Sequence, residues 1–400
     1  MAYMMRLSGL GTATLLLVLA ALVAFTGMEI LMRSAVELKI FTFSGLMIRC
    51  LGPRSGPLLD LMLVGFGNGA LVAFFIFLGD FLPDLIVHVN DGPPGFCEPQ
   101  NLRGACLVAC CVLAVPMALP KNISALRHVS PFALGGLFYT VLVVLWQAPA
   151  LYSLHIGTPG FGEITWFTWD ASTMCRSFSI CIFAFNCHLN VVPVASELVN
   201  PTSARLGKTV FRVVFVQFLV YLAIAGGGYL SFLAATPQSL ITGYPGADRA
   251  ILCSRALLSV TLLACIPMNG HPTVRSLMLL LEAGFPGLRE SSGNGEPLLP
   301  TGPEKREGAK VFPYPADREG LRHLLTVVSV ATDCWMAMNF TEVATIIGYL
   351  GASVGTMMMM VIPVLLLVVA VPDLYPPVWK WLIVVFLMAS ATASVSSMFI

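Results

Sequence analysis

Apolar residues run along this chain in long uninterrupted stretches. A helix needs about 20 mostly apolar residues to cross the hydrocarbon core of a bilayer. Ten stretches fit that pattern, at 8–32, 58–86, 105–120, 131–152, 173–198, 209–235, 250–281, 321–338, 343–370 and 379–399. The third is short, and the seventh is long enough to tilt or bend. Barrel strands would instead alternate apolar and polar residues over about ten positions. The pattern therefore predicts an all-α polytopic membrane protein. The run from Leu10 to Ile30 follows Arg6 as a secretory leader would, but it is too long for a leader core and has no small-x-small cleavage site, so it reads as a true span.

Composition agrees. The 400 residues are 57% hydrophobic and only 11% charged, whereas an ordinary soluble domain carries about 25% charged residues. Too few charges remain to make a polar skin, so lipid is the solvent for most of the surface. The net charge of +1 gives no electrostatic reason to expect nucleic acid. Most of the 11 cysteines lie in or beside apolar runs and read as small hydrophobes. Cys97 and Cys106 could pair at a helix mouth, and no metal-ligand spacing is present.

Charge gives the direction. Of the 22 basic residues, 17 fall in one alternate set of loops, including Arg33, Lys39, Arg205, Lys208 and Arg322. By the positive-inside rule that side faces the cytoplasm. Ten spans then leave both termini outside, which points to a preceding helix that is missing or atypical. The segment 284–320 is rich in Gly, Pro, Glu and Lys and reads as a flexible cytoplasmic loop within a single transmembrane domain covering 1–400. Trp166 and Trp169, in the outer loop 153–171, fit an interfacial belt.

Polar groups inside lipid are expensive, so each invites a functional reading. The richest run is Phe183 to Leu198, which holds Asn186, Cys187, His188, Asn190 and Glu197 with Pro193 among them. Proline removes a backbone donor and crowds the turn before it, here near Leu189. A break there would free amides and carbonyls around 186–190, the device with which many transporters hold carboxylates and ions. A Pro-kinked structural helix is the alternative. In the seventh stretch, Ser259 and Thr261 precede Pro267 and Pro272; their hydroxyls and freed carbonyls suit a hard cation such as sodium. Asn68 sits in Gly65-Phe66-Gly67-Asn68-Gly69, where small residues allow close helix approach. Asp333 has no basic residue nearby in sequence and is a proton-relay candidate, with an interhelical hydrogen bond as the plainer reading. Met357 to Met360 read as lipid-facing or core filler.

The pattern Phe-Ala-Phe-x-Cys-His with Pro193 and Glu197-Leu198 resembles the sixth-helix signature of the amino acid/auxin permease family, which includes the sodium-coupled neutral amino acid transporters. Leu119 to Arg127, the Arg255-to-Arg275 segment with Pro267, and Ile347 to Ser353 leading to Ile362-Pro363 add weaker matches in the right order. The resemblance covers nearly the whole chain from about residue 8. It implies an inverted-repeat transporter fold of eleven helices around a central site, coupled to sodium or protons. The ten visible helices look like the second to eleventh of these, with the first missing and nothing before Gly9 to hold it. The resemblance also implies that Asn186, Cys187 and His188 mark a broken helix at the substrate. Asn68 would face the same site, and Ser259 and Thr261 the cation.

Two functions follow. One is secondary active transport of amino acids by alternating access, with an amino acid and the lipid bilayer as partners and no cofactor beyond a possible coupling Na+ or H+. The other is a truncated or sensory relative that does not transport. An enzyme is not expected: there is no H-E-x-x-H motif, and no His follows Gly351-Ala352-Ser353. The membrane is either the plasma membrane or an internal, vacuolar or lysosomal one.

Overall fold

In a computed structural model of the chain, residues 1–90, 92, 101–120, 129–198, 201–284 and 319–399 are described. The described residues form helices and connecting turns, with no strand among them. In chain order the helices are α1 (Ala2–Ser8), α2 (Leu10–Leu38), α3 (Phe43–Leu51), α4 (Ser55–Val89), α5 (Leu102–Ala118) and α6 (Val129–His155). They continue as α7 (Ala171–Phe185), α8 (His188–Glu197), α9 (Ser203–Phe232), α10 (Arg249–Gly284) and α11 (Glu319–Asn339). The last are α12 (Val343–Ala370) and α13 (Pro377–Ser396).

Every apolar stretch read from the sequence is helical over most of its length. Seven helices are long and apolar enough to cross a membrane, and α5 and α7 are shorter apolar helices. Prolines inside α4, α5, α6 and α10 do not end those helices; membrane helices tolerate them because neighbours satisfy the freed carbonyls. Polar caps set several starts: Thr42, Asp170 and Thr202 each accept a hydrogen bond from a backbone N–H three residues on. The outward faces are apolar, with Leu142 and Val385 each 65% exposed, as a lipid-facing surface requires.

The amino-terminal span differs from expectation. It does not run through from residue 8. Gly9 takes φ +80°, a conformation that side chains rarely adopt, and separates α1 from α2. The break is held by backbone bonds from Leu10 and Gly11 to the carbonyls of Thr165 and Trp166 (2.8 Å each). A single apolar run conceals such a break because glycine is neutral to hydropathy.

The helices pack around two main cores. One joins α1, α2, α3, α7, α8, α9, α13 and the second half of α12, with Leu59 of α4. The other joins α4, α5, α10, α11 and the start of α12. A smaller cluster ties α6 to α9 and α10 through Phe232, Tyr244 and Ile251. Met358, Met359 and Met360 are fully buried in the first core, so the lipid-facing reading of that stripe is corrected; core filling is what they do. The expected loop at 284–320 falls almost wholly outside the described residues, as does Cys97.

Candidate functional site

The polar run in the sixth expected span is where the chain breaks. α7 ends at Phe185, Asn186 is extended (φ −78°, ψ 90°), Cys187 turns (φ −119°, ψ 18°), and α8 begins at His188. The break lies just upstream of the expected position at Leu189, and α8 runs on through Pro193 to Glu197. Asn186 explains the displacement, because a short amide side chain favours non-helical backbone where it competes with the helical bonds.

Two sets of backbone groups are freed. The first amides of α8 have no intrahelical partner, and Cys187 at its N-cap supplies no side-chain bond. On the other side, the Ala184 carbonyl accepts hydrogen bonds from Tyr221 Oη (2.8 Å) and Gln217 Nε2 (3.2 Å) of α9. Gln217 Nε2 also donates to Tyr221 Oη at 3.1 Å. The ring of Phe185 meets Tyr221 edge-on with centroids 5.2 Å apart. Sequence reading missed both α9 residues, although an amide within the apolar run 209–235 was a usable signal.

Polar atoms without partners collect here. His188 is 0% exposed. Neither of its ring nitrogens makes a well-aligned hydrogen bond, the Ala24 backbone of α2 being its nearest polar neighbour, and Asn186 Nδ2 and Gln217 Oε1 have no partner. Such atoms are rare in folded proteins and need an explanation when they occur. His188 lies between α2 and α12. A Cβ on Gly27 would stand 3.0 Å from His188 Nε2 and closer still to the Met359 carbonyl. Cys187 Sγ lies 3.8 Å from Met28 Sδ of α2.

α12 touches both halves of the break, with Met359 beside α8 and Gly351 against the Ser179 carbonyl of α7. Gly355 comes within 3.6 Å of Asn186 Nδ2, measured from an added Cβ. Around these contacts α12 widens into π-helical turns at Gly351–Gly355 and Met357–Val361. Such turns recur at functional positions in helices. Thr356 Oγ1 bonds across to Ser394 Oγ (2.9 Å), and Ser179 Oγ to Ser397 Oγ (2.8 Å), which tethers α7, α12 and α13.

The remaining expected residues lie elsewhere. Asn68 Oδ1 accepts from Ser329 Oγ of α11 at 2.7 Å. Its helix approaches the break through Phe66, whose ring centroid is 5.6 Å from that of Phe183. Gly67 packs against Thr273 and Gly69 against Leu350, as close-packing glycines should. Ser259 and Thr261 donate to their own helix at the carbonyls of Arg255 and Leu257. Thr261 borders Gly136 of α6. No described contact joins either residue to the break. Asp333 is 1% exposed within the second core, away from the broken helix.

Comparison with known proteins adds a family. The family described as "Transmembrane amino acid transporter protein" matches residues 1–400. The chain is 29% identical over 290 residues to the AAT1 protein of Toxoplasma gondii, covering 72% of this chain and 39% of that one. It is 26% identical over 226 residues to vacuolar amino acid transporter 5 of Schizosaccharomyces pombe, covering 56% and 51%. It is 25% identical over 304 residues to sodium-coupled neutral amino acid transporter 7 of Xenopus laevis, covering 73% and 65%. The chain thus spans about two fifths to two thirds of the length of these relatives.

Proposed function

The chain belongs to the transmembrane amino acid transporter family, and from that premise we propose that it carries amino acids across a membrane by alternating access, driven by a sodium or proton gradient. The observation that carries this reading is the break at Asn186–Cys187 with its unpartnered polar atoms. An amino acid brings a carboxylate, which accepts hydrogen bonds, and an ammonium, which donates them. The free amides at the start of α8 sit at the positive end of that helix and suit the carboxylate. Asn186 Nδ2 is a further donor, and Gln217 Oε1 a free acceptor. Burial strengthens such bonds because water does not compete.

The names of the relatives point the same way: they are transporters, one vacuolar and one sodium-coupled, and not enzymes. Asn186, Cys187 and His188 are the residues assigned to substrate. Asn68 is assigned to the wall behind them, acting through α4. Ser259 and Thr261 are the sodium-side candidates on α10 and Asp333 the proton-side candidate on α11.

The test is uptake by the purified chain in liposomes, offered a mixture of labelled amino acids with sodium and proton gradients imposed separately. Accumulation above empty liposomes is expected with one of the two gradients. His188→Ala should lose substrate binding while remaining folded, since the ring's one polar contact is a poorly aligned approach to the Ala24 backbone. Unchanged binding and uptake in that variant would remove the break from the site.

A further inference from the structure

α11 is less apolar than the seven candidate spans, and although Glu319, Thr332 and Asn339 are exposed, a set of its polar residues shares one buried face. Arg322, Thr326, Ser329 and Asp333 recur at helical spacing, and all four are buried. They face α4, α5 and α10, so the second core contains a polar column in lipid-embedded protein. Most of the column is satisfied. Thr326 Oγ1 donates to the Arg322 carbonyl (2.8 Å), and Ser329 Oγ to Asn68 Oδ1 (2.7 Å). Asp333 is 1% exposed, and its Oδ2 has no hydrogen-bond partner.

The groups around that carboxyl are specific. From α5 comes the Cys111 thiol, in contact with Cys334 on the carboxyl's own helix. Arg103 of α5 lies one turn farther out, where Nη2 donates to the Ala337 carbonyl at 3.1 Å and Asp80 is beside it. From α10, His271 stands against Arg322 at the far end of the column. From α4, Asn68 reaches Ser329, while Asp60 lies with Ser276 and Arg275. Among the described residues no cation pairs with Asp333. An unpaired ionised carboxylate is very costly in such surroundings, and its neutral acid costs far less. A group whose two forms differ so much in energy makes a strong lever when a proton arrives or leaves.

We propose that Asp333 is a proton-binding site, through which the α4–α5–α10–α11 group couples proton entry to the broken helix. The step is simple: a proton adds to a carboxylate oxygen of Asp333 and later leaves it, with no other bond made or broken. Ser329 and Thr326 lead from the carboxyl toward the cytoplasmic end of α11. The link to the break runs from Ser329, one turn from Asp333, to Asn68 on α4. Two residues along α4, Phe66 packs on Phe183 in the last turn of α7. Repacking at the carboxyl thereby reaches Asn186 through contacting side chains.

This inference rests on the transport reading, so its test has two independent arms. In liposomes, wild type is expected to accumulate labelled amino acids under an inward proton gradient. Asp333→Asn should fall to the empty-liposome level in that assay yet retain exchange of internal for external substrate, which needs no net proton. Asp333→Glu should restore part of the accumulation. Accumulation by Asp333→Asn equal to wild type would overturn the proposal, and so would accumulation driven by sodium alone. The second arm needs no transport. Infrared spectra of the purified chain should show a protonated-carboxyl band that titrates with pH and is missing from folded Asp333→Asn. Uptake failing in all variants while this band titrates would sink the transport reading and keep the proton site. A band that does not titrate, or that persists in the Asn variant, would sink the proton site.

Discussion

The imidazole of His188 occupies space that exists only because residue 27 is glycine. A methyl group at Gly27 would stand 3.0 Å from Nε2 and closer to the Met359 carbonyl. The three residues come from α8, α2 and α12, so one missing side chain lets three helices meet behind the break. Gly27→Ala should therefore destabilise the fold by about 1–3 kcal/mol, the usual range for an overfilled core. It should also weaken amino acid binding, because His188 and α12 both have to move. Thermal unfolding in detergent checks the first point and ligand-induced thermal shifts the second. A variant as stable as wild type, with the same shifts, would mean that these helices are not packed this closely.

Arg255 makes a second prediction near the start of α10. It is 1% exposed, and Nη2 donates to the carbonyls of Ile241 (3.0 Å) and Tyr244 (3.1 Å) in the loop after α9. Nη1 pairs at 3.2 Å with Asp84 of α4, whose side chain is 47% exposed. Arg255→Ala strands two loop carbonyls, each worth about 1–3 kcal/mol when buried and unpaired. Asp84→Ala leaves both carbonyl bonds in place and removes a carboxylate already half in water. The Arg255 variant should lose more stability than the Asp84 variant. Equal losses in unfolding experiments would show that the ion pair, and not the loop anchorage, is what matters there.

How much of this was legible in the sequence depends on the range of the forces. Lipid imposes a length on every apolar run, so the spans could be read directly, and each proved helical over most of its length. The break could be placed to within a few residues because Asn186, His188 and Pro193 are costly in an apolar run unless something uses them. Its exact position could not, since it depends on Asn186 leaving the helix while Tyr221 and Gln217 take up the Ala184 carbonyl. Those partners lie more than thirty residues away, and nothing local announces them. Gly9 and Gly27 are similar: hydropathy counts both as neutral, and only their three-dimensional neighbours show that a side chain would not fit. Asn68 had two readings, packing and site. Its bond to Ser329 gives it a packing partner, while Phe66 beside it carries α4 to the break.

The loop before α7 supplies a pH prediction. Asp170 caps α7 by accepting from Thr173 N at 2.9 Å. That backbone bond, helped by the Thr173 hydroxyl, the Ser172 amide and the Arg176 charge, holds its carboxyl below the usual aspartate range. A depressed folded-state value means that the ionised form stabilises the fold. The contribution is complete above the unfolded value of about 3.9 and disappears as pH falls through the folded value. Asp170→Ala should thus unfold at a lower temperature than wild type near neutral pH, with the gap closing in acid. Asp170→Asn should stay near wild type at all these values, since asparagine caps helices about as well. A gap between wild type and the alanine variant that persists in strong acid would rule out the carboxylate cap.

The α9 clasp gives the last prediction. Tyr221 Oη and Gln217 Nε2 share the Ala184 carbonyl, and the amide also donates to the hydroxyl. Three groups that contact one another should not behave additively. Tyr221→Phe alone removes one donor but leaves Gln217 on the carbonyl, so the loss should be about 1 kcal/mol. Gln217→Leu alone leaves the Tyr221 bond and removes the unpartnered Oε1, so its effect on stability should be smaller still. The double variant leaves a buried carbonyl with no partner and should lose about 1–3 kcal/mol, more than the two single losses together. Binding should separate the two residues. If Oε1 receives the substrate ammonium, Gln217→Leu weakens amino acid binding more than Tyr221→Phe does, although it disturbs the fold less. The opposite order would mean that the clasp only holds the break in shape and that the ammonium is bound elsewhere.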